Sequence, residues 1–195
     1  MRIADLVGDT DPTAIVAATP AWNVHDVIAH LSGLAEDAAN DNMSGAPGEA
    51  WTAAQVERGR DRPIAQMLER WEGHATTLVA VLDSPEGVRS SATVVDVNAH
   101  EADLRHALGL PPEPDDEFVS WAAPMMRKFF ARAVESAGLA PITVEASDWE
   151  VVRGRLGRRT AAEVTALDWS ADPAPYLDTW FMFGPRDEPL GEGSP

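Results

Sequence analysis

Cysteine is absent from the 195 residues. That excludes a disulfide scaffold, a zinc ribbon, a CxxC redox pair and a catalytic thiol of the protein's own. Any metal must be held by His and carboxylate, and any thiol chemistry must take its thiol from elsewhere. Lysine is nearly as scarce: Lys128 stands alone, and Arg supplies the rest of the 15 basic residues. Against 32 acidic residues they leave a net charge of −17, with both halves acidic and no basic run. Such a surface repels phosphate backbones and anionic lipid, which argues against nucleic-acid and membrane-surface partners. No apolar run approaches the roughly 18 residues of a membrane span. The stretch Met1–Asp11 has neither the basic n-region nor the apolar core of a signal peptide, so the expected compartment is the cytoplasm. No G-x-S-x-G elbow, Walker loop or dinucleotide fingerprint is present, and Ser120 has no base at motif spacing.

What is present is mostly helical periodicity. Asn23, with Asp26 three residues on, resembles a capping box. Val24, Val27, Ile28, Leu31 and Leu34 follow at helical spacing. Residues 51–60 read as a short helix. Asp61 and Pro63 open a second long helix with the stripe Ile64, Met67, Leu68, Trp71, Ala75, Leu78 and Leu82, ended by Ser84–Gly87. A third helix is predicted from about Ser91 to Leu108, with Gly109 as its C-terminal cap and Pro111 preventing continuation. Asp115 and Asp116 cap a fourth, with Phe118, Ala122, Met125, Phe129 and Ala133 on one face, a kink expected at Pro124 and an end at Gly138.

Beyond Gly138 the pattern changes. Ile142–Ala146 alternates like a strand, Asp148–Trp149 opens a short helix, and Thr160–Glu163 is a second capping-box sequence. Gly191–Pro195 is expected to fray. The fold class expected is mainly α: a four-helix bundle over residues 1–138, followed by a small α/β appendage over 139–195.

The five histidines are sorted by helix geometry. With Val27 as zero and 100° per residue, His30 falls about 60° away, on the edge of the apolar stripe, and His25 on the opposite side. On the third helix Asp96 and Asp103 fall about 40° and 60° from His100, while His106 faces away. His25, His74 and His106 are therefore read as structural or solvated. Asp96 and His100 form an i, i+4 pair able to reach one point. A bundle builds metal sites from such pairs plus a ligand from a neighbouring helix, and His30 is the natural third. Two imidazoles and a carboxylate suit a borderline divalent ion such as zinc, with positions left open for water or substrate. The plainer reading is a surface charge pair and a hydrogen-bonded core histidine. The arginines Arg153, Arg155, Arg158 and Arg159 likewise either recognise a carboxylate or neutralise neighbouring Asp and Glu. Arg58, Arg60 and Arg62 read as a solvated helix end.

The run Trp22-Asn23-Val24-His25-Asp26-Val27-Ile28-Ala29-His30-Leu31 resembles the W-x-V-x-D-V-x-A-H-L signature of the maleylpyruvate isomerase-like proteins common in actinobacteria. These belong to the DinB-like helix-bundle superfamily. Trp51–Val56 and Arg62–Pro63 match the family's next block. Asp96-x-x-x-His100-Glu101-x-Asp103-x-Arg105-x-Ala107-Leu108-Gly109 matches its third-helix block. Gly157–Val164 and Asp168–Trp169 match a C-terminal block. The resemblance implies a DinB-like bundle holding a divalent metal on His30, Asp96 and His100, with zinc the leading candidate, and a small C-terminal domain. The isomerases resembled most closely carry Glu where this chain has Asp96.

The best-understood relatives depend on mycothiol, a low-molecular-weight thiol. Its thiolate adds to an activated double bond and permits cis–trans rotation, or displaces a group in S-transfer. A chain without cysteine suits that scheme. The function expected is thus a mycothiol-dependent isomerase or S-transferase acting on a small electrophile, with Asp103 orienting a metal ligand and Arg105 in a structural ion pair. The alternative is a non-catalytic, metal-dependent small-molecule binding or regulatory protein. Monomer and homodimer are both compatible with the sequence.

Overall fold

The structure, a computed structural model, describes residues 2–84 and 91–192. The expected Pro85–Gly87 turn and residues 193–195 of the expected frayed tail lie outside them. The described residues form helices α1 (Arg2–Val7), α2 (Val24–Ala39), α3 (Glu49–Gly59), α4 (Ile64–Leu82), α5 (Ser91–Ala107) and α6 (Asp116–Ser136). Strand β1 (Val144–Glu145), α7 (Asp148–Arg155), α8 (Ala161–Thr165), strand β2 (Asp168–Trp169) and α9 (Leu177–Trp180) follow. The protein is mainly helical, with one two-stranded sheet near its C-terminal end. No described helix is long and apolar enough to cross a membrane.

The chain divides into two compact units, residues 1–110 and 111–195. In the first, α2 packs against α3, α4 and α5, and α1 against α5. The expected capping box starts α2: Asn23 Oδ1 accepts from the Asp26 backbone N–H (2.9 Å), and Asp26 Oδ2 accepts from the Asn23 backbone N–H (3.1 Å). The predicted stripe is buried, and so is the rest of the helix from Val27 through Ala35. Ala29, Ser32 and Gly33 are small, and small residues let a second and third helix approach. Ser32 Oγ donates to the Met67 carbonyl of α4 at 2.9 Å. Each fully buried Leu or Ile here stabilises the unit by about 1.5–3 kcal/mol.

Gly109 has the positive φ of +68° that suits glycine, and the Leu110 N–H reaches back to the Arg105 carbonyl at 2.9 Å, ending α5 as expected. Gly138 repeats the device after α6, with Leu139 N–H to Val134 O at 3.1 Å.

The first unit ends at Leu110. Helix α6, expected as the bundle's fourth helix, is grouped with the second unit, where it packs on α7 and α9. Its buried face is Phe118, Ala122, Ala123, Met126, Phe130 and Val134, one residue round from the expected Met125, Phe129 and Ala133. Both faces are apolar, so periodicity alone could not choose between them. Phe129 and Trp121 stay exposed. Helix α6 runs through Pro124 as one element.

The second unit has an aromatic centre. Phe130, Trp169 and Trp180 meet edge to face with centroids 5.0–5.9 Å apart. The sheet is antiparallel, with Val144 opposite Trp169 and Glu145 opposite Asp168. It is shorter than the strand expected over 142–146, and β2 is a partner that the sequence pattern did not reveal. Both predicted caps form: Asp115 accepts from Phe118 N–H at 2.9 Å, and Thr160 and Glu163 make a second capping box.

Candidate metal centre

The capped start of α2 and the fully buried Leu31 beside it set the rotation of that helix, and with it the position of His30. On α5 the fully buried Leu104 does the same for Asp96 and His100. The two helices bring His30, Asp96 and His100 together: each offers one ligand atom, and all lie within 4.8 Å of one another. His30 and His100 are buried, while the Asp96 side chain is 35% exposed, so the group opens to solvent on its carboxylate side. His30 Nε2 lies 2.7 Å from Asp96 Oδ2, and His100 Nε2 lies 3.5 Å from Asp96 Oδ1. The two imidazoles meet edge to face at 5.3 Å. The Trp22 indole covers both, 5.2 Å from His30 and 5.8 Å from His100.

Behind each imidazole stands an oxygen. His30 Nδ1 lies 2.7 Å from Gln55 Oε1 of α3. His100 Nδ1 lies 3.2 Å from Asp103 Oδ2, at an angle outside hydrogen-bond geometry. Asp103 is wholly buried.

Gln55 is held in turn. Its amide Nε2 donates to Asp37 Oδ2 at 2.8 Å, and Asp37 Oδ1 accepts from Arg58 Nη2 and Asn42 Nδ2, both at 2.8 Å. Burial alone would raise the Asp37 carboxyl. The hydrogen bonds from Gln55, Arg58 and Asn42 and the Arg58 charge outweigh it and hold the group below its ordinary range.

These contacts bear on whether the residues fit a metal. Both ring nitrogens of His30 face oxygen acceptors, and a neutral imidazole carries one N–H. The second contact is satisfied by a second ring proton or by a cation shared between Nε2 and Asp96. Two nitrogens and a carboxylate are the donor set of a borderline divalent ion, and a nitrogen turned away from the metal ordinarily hydrogen-bonds an oxygen, as His30 Nδ1 does here. The residues fit.

Gln55, Asp37 and Trp22 were not assigned to the site from sequence. Asp37 lies seven residues beyond His30, two turns along the same side of α2, and that carboxylate was the available signal. Gln55 carried none, because its approach depends on tertiary packing: a Cβ on Gly33 would fall 2.7 Å from the Gln55 Cβ.

The remaining sequence candidates lie elsewhere. His25, expected to be solvated, is half-buried, and its Nε2 donates to the Arg62 carbonyl at 2.8 Å, tying α2 to the turn before α4. His106, expected to be solvated, and His74 are half-buried. Arg105 lies 3.6 Å from Glu101, the ion pair expected of it, and Glu101 also meets Arg2 at 2.8 Å. Arg58, expected to be solvated, pairs with the buried Asp37.

The four C-terminal arginines are engaged with the protein itself. Arg153 meets Glu192 side-on, and Arg159 joins Glu150 at 2.7 Å and Glu192 at 2.9 Å. Arg155 donates to the Thr179 and Trp180 carbonyls, and burial lowers its pKa to about 10. Arg158 Nη1 donates to the Leu156 carbonyl at 2.7 Å. A cavity of about 500 Å³ is lined by Val7, Pro12, His25, Arg62, Ile64 and Leu68, and by none of the three candidate ligands.

Residues 1–105 match the family model described as the mycothiol maleylpyruvate isomerase N-terminal domain. The match covers α1 to α4 and nearly all of α5, and so contains His30, Gln55, Asp96, His100 and Asp103. Comparison with curated proteins and with solved structures gave no match.

Proposed function

The chain belongs to the family of the mycothiol maleylpyruvate isomerase N-terminal domain, and on that premise we propose that it is a divalent-metal-dependent, mycothiol-dependent isomerase or S-transferase acting on a small electrophile. The observation that carries this reading is the convergence of His30, Asp96 and His100, from two helices, within 4.8 Å. His30 Nε2, His100 Nε2 and an Asp96 oxygen would hold the ion, with zinc the first choice for this donor set. When bound, such an ion supplies a Lewis acid that keeps a thiol deprotonated near neutral pH.

The chain's own residues do the rest. Gln55 hydrogen-bonds the far nitrogen of His30 and orients that ring, while the Asp103 carboxylate stands 3.2 Å behind His100. Trp22 covers the rings and excludes water from that side. The half-buried Asp96 leaves the approach from solvent open to a thiol and an electrophile. The absence of cysteine means that the nucleophilic sulfur is borrowed.

The test begins with metal content. Protein purified without added metal or a histidine-rich tag, and the His30→Ala variant in parallel, are assayed for bound ions. One divalent ion per chain, absent from the variant, is expected. Consumption of an electrophile only when both metal and thiol are present is the expected activity. Failure to bind any of several divalent ions in excess would overturn the metal centre. Metal-linked stabilisation by small molecules without turnover would overturn the enzyme and leave a binding protein.

A further inference from the structure

Asp37 touches neither imidazole, yet the hydrogen bonds around it run in one direction only. A carboxylate accepts and cannot donate. Arg58 and Asn42 occupy Oδ1, so Oδ2 is left to the Gln55 amide. Gln55 has one donating and one accepting end. With Nε2 committed to Asp37, Oε1 is the end that faces His30 Nδ1 at 2.7 Å. An amide oxygen only accepts, so Nδ1 must carry a hydrogen, whatever Nε2 shares with Asp96 Oδ2 at 2.7 Å. Gln55 is fully buried, so its orientation is set by these two partners rather than by water.

We infer that Asp37 is a positioning residue: through Gln55 it fixes the proton of His30 on Nδ1 and so keeps Nε2 as the ligand atom. This deepens the metal-centre reading and rests on it for its purpose, but the position of the proton is measurable without metal.

The inference makes an unusual demand on variants. In Asp37→Asn the new amide keeps its oxygen on Arg58 and Asn42 and turns its NH2 toward Gln55. Gln55 must then present oxygen to residue 37 and NH2 to His30. Nδ1 becomes an acceptor, and the ring proton moves to Nε2, the atom needed for the ion. Adding Gln55→Glu reverses the change. A carboxylate at position 55 accepts from the amide at 37 on one oxygen and from Nδ1–H on the other. The D37N/Q55E pair also conserves the net charge.

The experiment is a ¹⁵N imidazole spectrum of metal-free protein at alkaline pH, with His30 identified by its loss in His30→Ala, alongside zinc titrations. Wild type is expected to carry the His30 proton on Nδ1, D37N on Nε2, and D37N/Q55E on Nδ1 again. Zinc affinity is expected to fall roughly 10–100-fold in D37N and to recover in the double variant. A wild-type proton on Nε2, or D37N with the proton still on Nδ1, overturns the inference. So does a double variant that binds zinc no better than D37N. If D37N does not fold, the wild-type spectrum still decides, together with Gln55→Met, which removes both ends of the amide and should leave the two tautomers mixed. Wild-type protein that binds no zinc but shows Nδ1–H in wild type and Nε2–H in D37N would sink the metal centre and keep the relay.

Discussion

Each of the two units buries a polar cluster, and the clusters differ in how they are completed. In residues 111–195 two guanidinium groups, Arg153 and Arg159, face two carboxylates, Glu150 and Glu192. Burial would lower the Arg159 pKa, but the hydrogen bonds it donates to Glu150 and Glu192, and their charges, raise it above the ordinary arginine value. Charge meets charge within the chain, and the cluster needs nothing more. In residues 1–110 the cluster is two imidazoles between carboxylates and an amide oxygen, with its ligand atoms converging beside a carboxylate open to solvent. That set is suited to share a cation. A buried polar cluster completed by its own chain is a piece of scaffold; one whose ligand atoms converge beside an opening is a candidate site.

The comparison is sharpened first where the largest effect is expected. Glu192→Gln withdraws a carboxylate from two arginines, of which Arg153 is wholly buried. Breaking a buried pair costs about 3–5 kcal/mol, so denaturant unfolding should show a loss of that order with no change in metal content. A loss under about 1 kcal/mol, the range of a surface pair, would remove the contrast.

His100→Ala makes the opposite demand. Metal binding should be abolished, a larger loss than the roughly 10–100-fold that follows removal of an orienting partner, while the far-ultraviolet circular dichroism keeps its helical form. Stoichiometric metal retained in this variant would mean that the first cluster is scaffold too.

Gly59→Ala probes how the first cluster is held. A Cβ there would fall 2.4 Å from the Ala29 Cβ, one residue from His30. Overpacking of this kind costs about 1–3 kcal/mol. Separation of α3 from α2 should also draw Gln55 off His30, weakening zinc binding beyond any effect of stability, as calorimetric titration of folded protein would show. Asn23→Ala has the smallest expected effect, about 1 kcal/mol from the lost cap, with zinc affinity near wild type. A large loss of affinity would place the control of His30 in the helix start rather than in α3.

Much of the molecule was legible from local signals. The capping boxes at Asn23 and Thr160, the glycine stops at Gly109 and Gly138 and the helical stripe of α2 depend on neighbours within a few residues, and all formed. The juxtaposition of Asp96 with His100 is also local, one turn of one helix. What was misread depended on which of two acceptable faces finds a partner. Met126 and Phe130 rather than Met125 and Phe129 are buried on α6, and His25 meets a backbone carbonyl 37 residues away in sequence.

By itself, then, the sequence determined the long helices α2, α4, α5 and α6, the caps and glycine stops at Asn23, Gly109, Gly138 and Thr160, the residue types available to a metal and, through its motif blocks taken together, the family. Tertiary structure alone decided that α6 buries Met126 and Phe130, that the four C-terminal arginines are engaged within the chain, and that Gln55 stands behind His30. The physical reason is common to all three. Helix propensity and caps act through hydrogen bonds a few residues long, whereas the partner of a buried charge or amide is whatever the packing of distant helices brings within 3 Å. At Gly33 and Gly59 two missing side chains let α3 come close enough to set the site.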